Sequence, residues 1–306
     1  MNGRRVGFFG PVGTFTHEAV IALKESSAEL VAFPTIFDVL DAVANETVDV
    51  GVVPIENAIE GTVSATIDGL LFDHDLLIES EIVLPIRLHL MARPGVTRQD
   101  IRRVASYTHA LGQCRRFIST LGDLEIESVA STADAARLVS LSDEPLAAIA
   151  SQIAATTYGL EIIEADVEDH ADNETRFVVV GRDVIPAPTG HDRTSIVCFQ
   201  DADRPGSLYG ILGRFAARDL NLTKLESRPA KTGLGSYCFV IEFDGHLADD
   251  VVGDCLADLQ AHLTRVKFLG SYPVTGVSAA VRRDEVAAAR VSADAWIFSL
   301  RDRIRS

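Results

Sequence analysis

Four short stretches of the 306-residue chain put hydroxyls, amides or carboxylates where an apolar run gives way to another element. In "GPVGTFT" (10–16), Thr14 and Thr16 stand at the head of a helical pattern. Exposed N–H groups at a helix start, with hydroxyls beside them, make an anion site that suits a carboxylate as well as a phosphate. The glycines fall at Gly7, Gly10 and Gly13, which is not the dinucleotide spacing, and no lysine precedes the threonine as a Walker loop requires. Plain N-capping by Thr14 is the simplest local reading. "STADAA" (131–136) repeats the arrangement with Ser131 and Thr132, and capping again accounts for it. "VPIENAIEGTV" (53–63) ends a strand on Glu56 and Asn57, and its Gly61-Thr62 is expected to start a helix. Ligands of open α/β sheets collect beyond strand carboxyl ends. Glu56 could hold a proton there or accept a bond, and Asn57 could donate as well as accept; a solvated turn is the alternative. In "ETRFVVV" (174–180), alternation puts Thr175 and Phe177 on one side and Arg176 on the other. Arg176 then suits an ion pair better than a grip on substrate, while Thr175 could donate to a leaving oxygen. His17 and His109 lie near these turns and read as surface or packing residues.

Several such turns together could hold a ligand with more than one carboxylate, using backbone dipoles instead of lysines. Charge makes that important. Lys plus Arg number 28 against 44 Asp plus Glu, a net charge of −16. Such a field repels nucleic acid and anionic membrane, so neither is expected as a partner, and an anionic substrate would need strong local donors. The four cysteines, Cys114, Cys198, Cys238 and Cys255, show no CxxC spacing and no histidine at ligand spacing. No metal site or disulfide framework is expected, and buried thiols suit a reducing cytoplasm. No signal peptide is expected at the N-terminus, and no run is long enough to span a bilayer.

Positioning these turns requires a βα framework. "RVGFFG", "ELVAF" and "VDVGVVPIE" read as strands, the last stopped by Pro54, with helices expected over 15–24, 36–44 and 63–72. "LLIESEIVLPIRLHLMAR" gives two strand-like runs that cross between two lobes. The rhythm resumes through "IRRVASY", "LEIESVA" and "LAAIA", with helices over 110–121, 133–140 and 151–158, and closes on "TRFVVVG". Continuous apolar runs of this kind suit parallel strands covered on both faces, so residues 4–183 read as doubly wound α/β. "IPAPTGHDR" has linker composition. After it come a strand, a helix over 206–218, two strands, a helix over 249–263 and a last strand, the βαββαβ order of a ferredoxin-like unit. The tail over 284–305 is Ala/Arg-rich and amphipathic, and is expected to form a helix that packs on the body or on a sister chain.

Together, in order, these motifs resemble the prephenate dehydratase family over residues 4–273. "GPVGTFTHEA" looks like its opening motif, "VPIENAIEGTV" its second, and "YGLEIIEADVEDHADNETRFVVV" its third. "RPGSLYGIL" is similar to the helix start of an ACT regulatory domain, and "NLTKLESRP" carries that domain's Glu-Ser-Arg-Pro signature at 226–229. One stretch departs: where the family has Ser-His-Pro ahead of Gln-Cys, "SYTHALGQC" has Tyr107 and Thr108. The resemblance implies a two-lobed catalytic region like a type II periplasmic binding protein over 1–184, with lobes at about 1–76 plus 171–184 and about 77–170. It implies a linker at 185–192 and an ACT domain at 193–273. The implied reaction turns prephenate into phenylpyruvate, water and carbon dioxide without cofactor or metal. Thr175 would be the catalytic donor and Glu56 a relay for its proton. Thr14, Phe15, Thr16, Asn57, Gln113, Ser131, Thr132, Arg176 and Phe177 would bind substrate. Gly206, Ser207, Leu208, Asn221, Glu226, Ser227 and Arg228 would serve a phenylalanine effector site, in a dimer or tetramer. The rivals are an arogenate dehydratase with the same chemistry and a two-lobed organic-anion receptor.

Overall fold

The first apolar run folds as β1 (Arg5–Phe9) in a computed structural model that describes residues 3–24, 27–200, 205–231, 233, 236–275, 295–297 and 299–301. A βα alternation follows through α1 (Phe15–Ala22), β2 (Glu29–Phe33), α2 (Ile36–Ala44) and β3 (Val50–Asn57), with β1 parallel to both β2 and β3. Gly51 lets α2 lie close on β3, since a Cβ there would come 2.6 Å from Val39 and 2.9 Å from Val43. Pro54 does not stop this strand, which runs on to Asn57.

Gly61 and Thr62 do not begin the next helix. They form β4 (Gly61–Thr62), antiparallel to the end of β3. The helix is α3 (Ser64–Asp68), and it widens into a π-helical turn over Gly69–Asp73 where Gly69 presses on Leu40 of α2. The chain continues through β5 (Leu77–Pro85), β6 (His89–Ala92), β7 (Arg103–Tyr107), α4 (Thr108–Gln113), α5 (Arg115–Ser119), β8 (Glu125–Val129), α6 (Thr132–Leu141), β9 (Leu146–Ala150), α7 (Gln152–Tyr158), β10 (Glu161–Glu164) and β11 (Glu174–Gly181). The single helix expected over 110–121 is broken at Cys114. Asp169 causes the break: its N–H takes the Gln113 carbonyl at 2.6 Å, and its carboxylate accepts from the Arg116 N–H at 3.2 Å. Both groups would otherwise serve a continuous helix.

Two sheets result, β2-β1-β3-β11-β5 with β4 beside β3, and β10-β6-β9-β7-β8. The strand β5, expected as the start of the second lobe, is an edge of the first sheet. Period-2 alternation specifies a strand but not its partner.

The remaining elements are β12 (Asp192–Phe199), α8 (Ser207–Ala216), β13 (Leu222–Pro229), β14 (Tyr237–Asp244), α9 (Asp250–His262) and β15 (Arg265–Pro273). Their strands form an antiparallel sheet in the order β13-β14-β12-β15, and one face shares a core with α8 and α9 through Phe215, Phe243 and Leu259. The chain divides into two units: residues 1–74 with 82–180, and 75–81 with 181–306. Glu81 explains why 75–81 belongs to the second. Its side chain is 1% exposed, accepts from Arg193 Nη1 at 2.6 Å and from the Thr275 N–H at 3.0 Å. Removing one member of a buried ion pair strands the other charge, so Glu81→Ala is expected to cost about 3 kcal/mol. A urea unfolding midpoint equal to wild type would refute this. The helix expected over 284–305 lies outside the described residues except at 295–297 and 299–301, which are helical. Among the described residues no helix is long and apolar enough to cross a membrane.

Candidate active site

Strand-to-helix turns of both sheets in the first unit converge on one cavity of about 290 Å3. Its floor comes from paired strands. In the β3–β11 register Thr175 lies opposite Asn57 and Arg176 opposite Glu56, then the register slips so that Phe177 meets Pro54. Ile55 is the extra residue of a bulge. Residues 54 and 57 would face opposite sides of a regular strand; the bulge lets both line the cavity. A bulge also tolerates the missing proline N–H, which is why β3 continues through Pro54. Thr175 and Phe177 line the cavity from β11.

Glu56 and Arg176 do not. They face away, and Arg176 Nη2 donates to Glu56 Oε2 at 2.8 Å with the guanidinium side chain 9% exposed. The expected relay through Glu56 and the expected substrate contact of Arg176 therefore lack a path to the cavity. Their pair ties β3 to β11 directly behind Thr175 and Asn57.

The orientation of Asn57 is fixed by its own turn. Its Oδ1 accepts the N–H groups of Ile59 and Glu60, both at 2.9 Å. A reversed amide would set its NH2 against two donors, so Nδ2 must point at Thr175 Oγ1, 2.8 Å away, and at Asn173 Oδ1, 2.9 Å away. Thr175 thus accepts from Asn57, and its own proton remains for an acceptor in the cavity. The chain of bonds continues: Asn173 Nδ2 donates to Gln113 Oε1 at 3.0 Å, and Gln113 Nε2 to Glu60 Oε1 at 3.2 Å. It runs from the second lobe's α4 to the first sheet's β11.

The two helix starts behave partly as caps. Thr14 Oγ1 accepts from the His17 N–H at 3.3 Å and donates to the Phe9 carbonyl at 3.3 Å. Ser131 Oγ accepts from the Asp134 N–H at 2.9 Å and donates to its carboxylate at 2.8 Å. Both line the cavity with their hydroxyl protons already committed, so Thr16, Thr132 and the helix-start N–H groups are the donors left to a ligand. Phe15 adds an apolar wall. Gly13, at φ 93°, holds the first turn against α7: Ser151 Oγ donates to its carbonyl at 3.1 Å, and Tyr158 Oη to that of Val12 at 2.8 Å. His17 accepts the Gly13 N–H through Nδ1 at 3.2 Å, which needs a neutral ring. Burial lowers the His17 pKa and favours that form. Beside Gln113, burial pushes the Cys114 thiol up to about 12, so it is no nucleophile.

With this geometry in place, the sequence model of the prephenate dehydratase family matches residues 6–184. A curated prephenate dehydratase of Amycolatopsis methanolica is 40% identical over 281 residues, 90% of this chain and 91% of that one. The chain belongs to the prephenate dehydratase family. A crystal structure of an Arthrobacter aurescens prephenate dehydratase in complex with L-Phe superposes with a TM-score of 0.83 at 36% identity, over 97% of this chain and 99% of that one. A solved structure described as GqqA, a novel type of quorum quenching acylase, gives 0.81 at 28% identity over 89% of this chain and 98% of that one.

The family's third motif contains a residue that sequence reasoning passed over. Asn173 is 1% exposed, lines the cavity and links Asn57 to Gln113. A buried amide just before Thr-Arg-Phe was the available signal. Tyr107 and His109 also line the cavity, stacked with centroids 5.1 Å apart and planes 7° off parallel. His109, expected as a surface or packing residue, is half exposed and packs on Tyr107 at the cavity lining.

In the second unit Gly206, Ser207 and Leu208 line a cavity of about 650 Å3 with Phe239. Ser227 lies opposite Phe239 in the β13–β14 register, so it shares that side of the sheet. Glu226 and Arg228 alternate to the other face and bond to each other at 3.2 Å. Asn221 donates to Asp244 at 2.8 Å. The expected effector residues thus divide between the cavity and positions outside its lining.

Proposed function

We propose that the protein converts prephenate to phenylpyruvate, in a catalytic domain over 1–184 joined by residues 185–192 to an ACT domain over 193–273. The observation that carries this reading is the direction of the Asn57–Thr175 hydrogen bond, in which the hydroxyl accepts and its proton is left for another acceptor. Electron flow is simple. The bond between the ring and its carboxylate breaks, carbon dioxide leaves, and the electron pair completes the aromatic ring as the C4–oxygen bond breaks. The departing oxygen takes negative charge and a proton. Thr175 donates a hydrogen bond to it; water supplies the net proton, because a threonine hydroxyl is too weak an acid to lose its own. Helix-start N–H groups, Thr16 and Thr132 hold carboxylate oxygens, and Phe15 and Phe177 exclude water. Preorganised donors of this kind stabilise developing charge without rearranging at the moment of reaction.

Purified protein should turn prephenate into phenylpyruvate faster than it turns arogenate into phenylalanine, measured side by side. No turnover of either would end this reading. The likeness to a quorum quenching acylase makes acyl transfer the competing chemistry. Against it, Thr175 receives a bond from an amide where a nucleophile would need a base.

The Arthrobacter relative binds L-Phe, and the cavity beside Ser207 suits a small amphipathic effector. Phenylalanine is expected to inhibit, acting across separate sites in a dimer or tetramer working in the cytoplasm. A phenylalanine titration that leaves the rate flat, with no heat of binding in calorimetry, would remove the regulatory half of the proposal.

A further inference from the structure

We propose that His109 is the cationic anchor for the side-chain carboxylate of the substrate, the one retained in the product. This rests on the reading of the chain as a prephenate dehydratase. The substrate is a dianion, the chain carries −16, and none of the described residues lining the cavity is lysine or arginine. His109 is the one lining side chain among them able to carry a full positive charge near neutrality.

Its setting is built. Glu60 Oε2 bonds His109 Nδ1, and Glu60 Oε1 accepts from Gln113 Nε2. One carboxylate therefore orients both polar side chains that α4 presents to the cavity. A carboxylate only accepts, so Nδ1 carries a proton, and a ring protonated at Nε2 as well offers that second N–H to a ligand. Tyr107 lies parallel against the imidazole and limits its rotation. The half-exposed side chain is at the mouth of the cavity, where a charged tail enters.

Chemistry decides which carboxylate it holds. The ring carboxylate must give up its charge to leave as carbon dioxide, and a cation fixed on it would stabilise the ground state more than the transition state. The side-chain carboxylate keeps its charge from substrate to product, so a cation there binds all states alike. Loss of such uniform binding raises KM and leaves kcat alone.

The test compares His109→Gln, which is neutral, with His109→Lys, which keeps the charge. The Gln variant should raise KM for prephenate about tenfold, raise the inhibition constant of phenylpyruvate by the same factor, and hold kcat within about twofold. The Lys variant should stay within about threefold of wild type on both constants. An unchanged KM in the Gln variant, a raised KM without a matching rise in the product constant, or a Lys variant no better than Gln each overturns the proposal. Wild-type protein that fails to turn over prephenate would instead sink the parent reading. Circular dichroism of both variants should match wild type, because the side chain is half exposed.

Discussion

Replacing Thr175 by alanine is expected to lower kcat by about 10²- to 10³-fold while KM stays within about twofold. The hydroxyl faces the cavity, accepts from Asn57 and has its proton left to give. In the ground state the substrate hydroxyl is neutral and gains little from that donor. As the C4–oxygen bond breaks, the oxygen becomes anionic and the same hydrogen bond becomes charge-assisted. The benefit therefore falls on kcat. Thr175→Val, which keeps the branched shape, should match the alanine variant, since the loss is of the donor and not of packing. Thr175→Ser should keep activity within about tenfold, as it retains the hydroxyl but frees its rotation. A valine variant with near-wild-type kcat, measured by phenylpyruvate absorbance, would remove Thr175 from the chemistry.

What the sequence disclosed and what it hid follow one physical rule. Features set by local chain geometry were legible. Alternation along 174–180 separated Thr175 and Phe177 from Arg176, and hydroxyls at helix starts read as caps at Thr14 and Ser131, which also line the cavity. Features set by distant partners were not. The bulge at Ile55 is defined only by pairing with β11, more than a hundred residues later, and without it Pro54 and Asn57 would face apart. The break at Cys114 comes from Asp169, not from any residue of the helix. Glu56 stood where the resemblance placed a relay, yet its pair with Arg176 turns it away from the cavity. Asn173 was passed over because its value lies in joining Asn57 to Gln113, 116 and 60 residues away. Even His109 needed Glu60, on a separate lobe, before its ring had a fixed orientation.

The direction of the Asn57–Thr175 bond gives the second large effect. Asn57→Asp keeps the oxygen that accepts the Ile59 and Glu60 N–H groups, so the turn should persist, at a cost of about 1–3 kcal/mol for setting an acceptor against Asn173 Oδ1. The other carboxylate oxygen now sits where Nδ2 was, and it only accepts. Thr175 must then turn its proton toward residue 57, withdrawing it from the cavity. The new negative charge also opposes an anion forming on the departing oxygen. Both effects raise the barrier, so kcat should fall about 10²- to 10³-fold with the threonine still in place. Asn57→Ala separates the two contributions: it removes the amide without adding an acceptor, and should cost less than the aspartate. Asn57→Ala combined with Thr175→Val should be no slower than the worse single variant by more than about threefold, because both act on one hydrogen bond and neither adds a charge. If the two losses multiplied instead, Asn57 and Thr175 would be acting independently, and the orientation read from the Ile59 and Glu60 contacts would not be what aims the threonine proton.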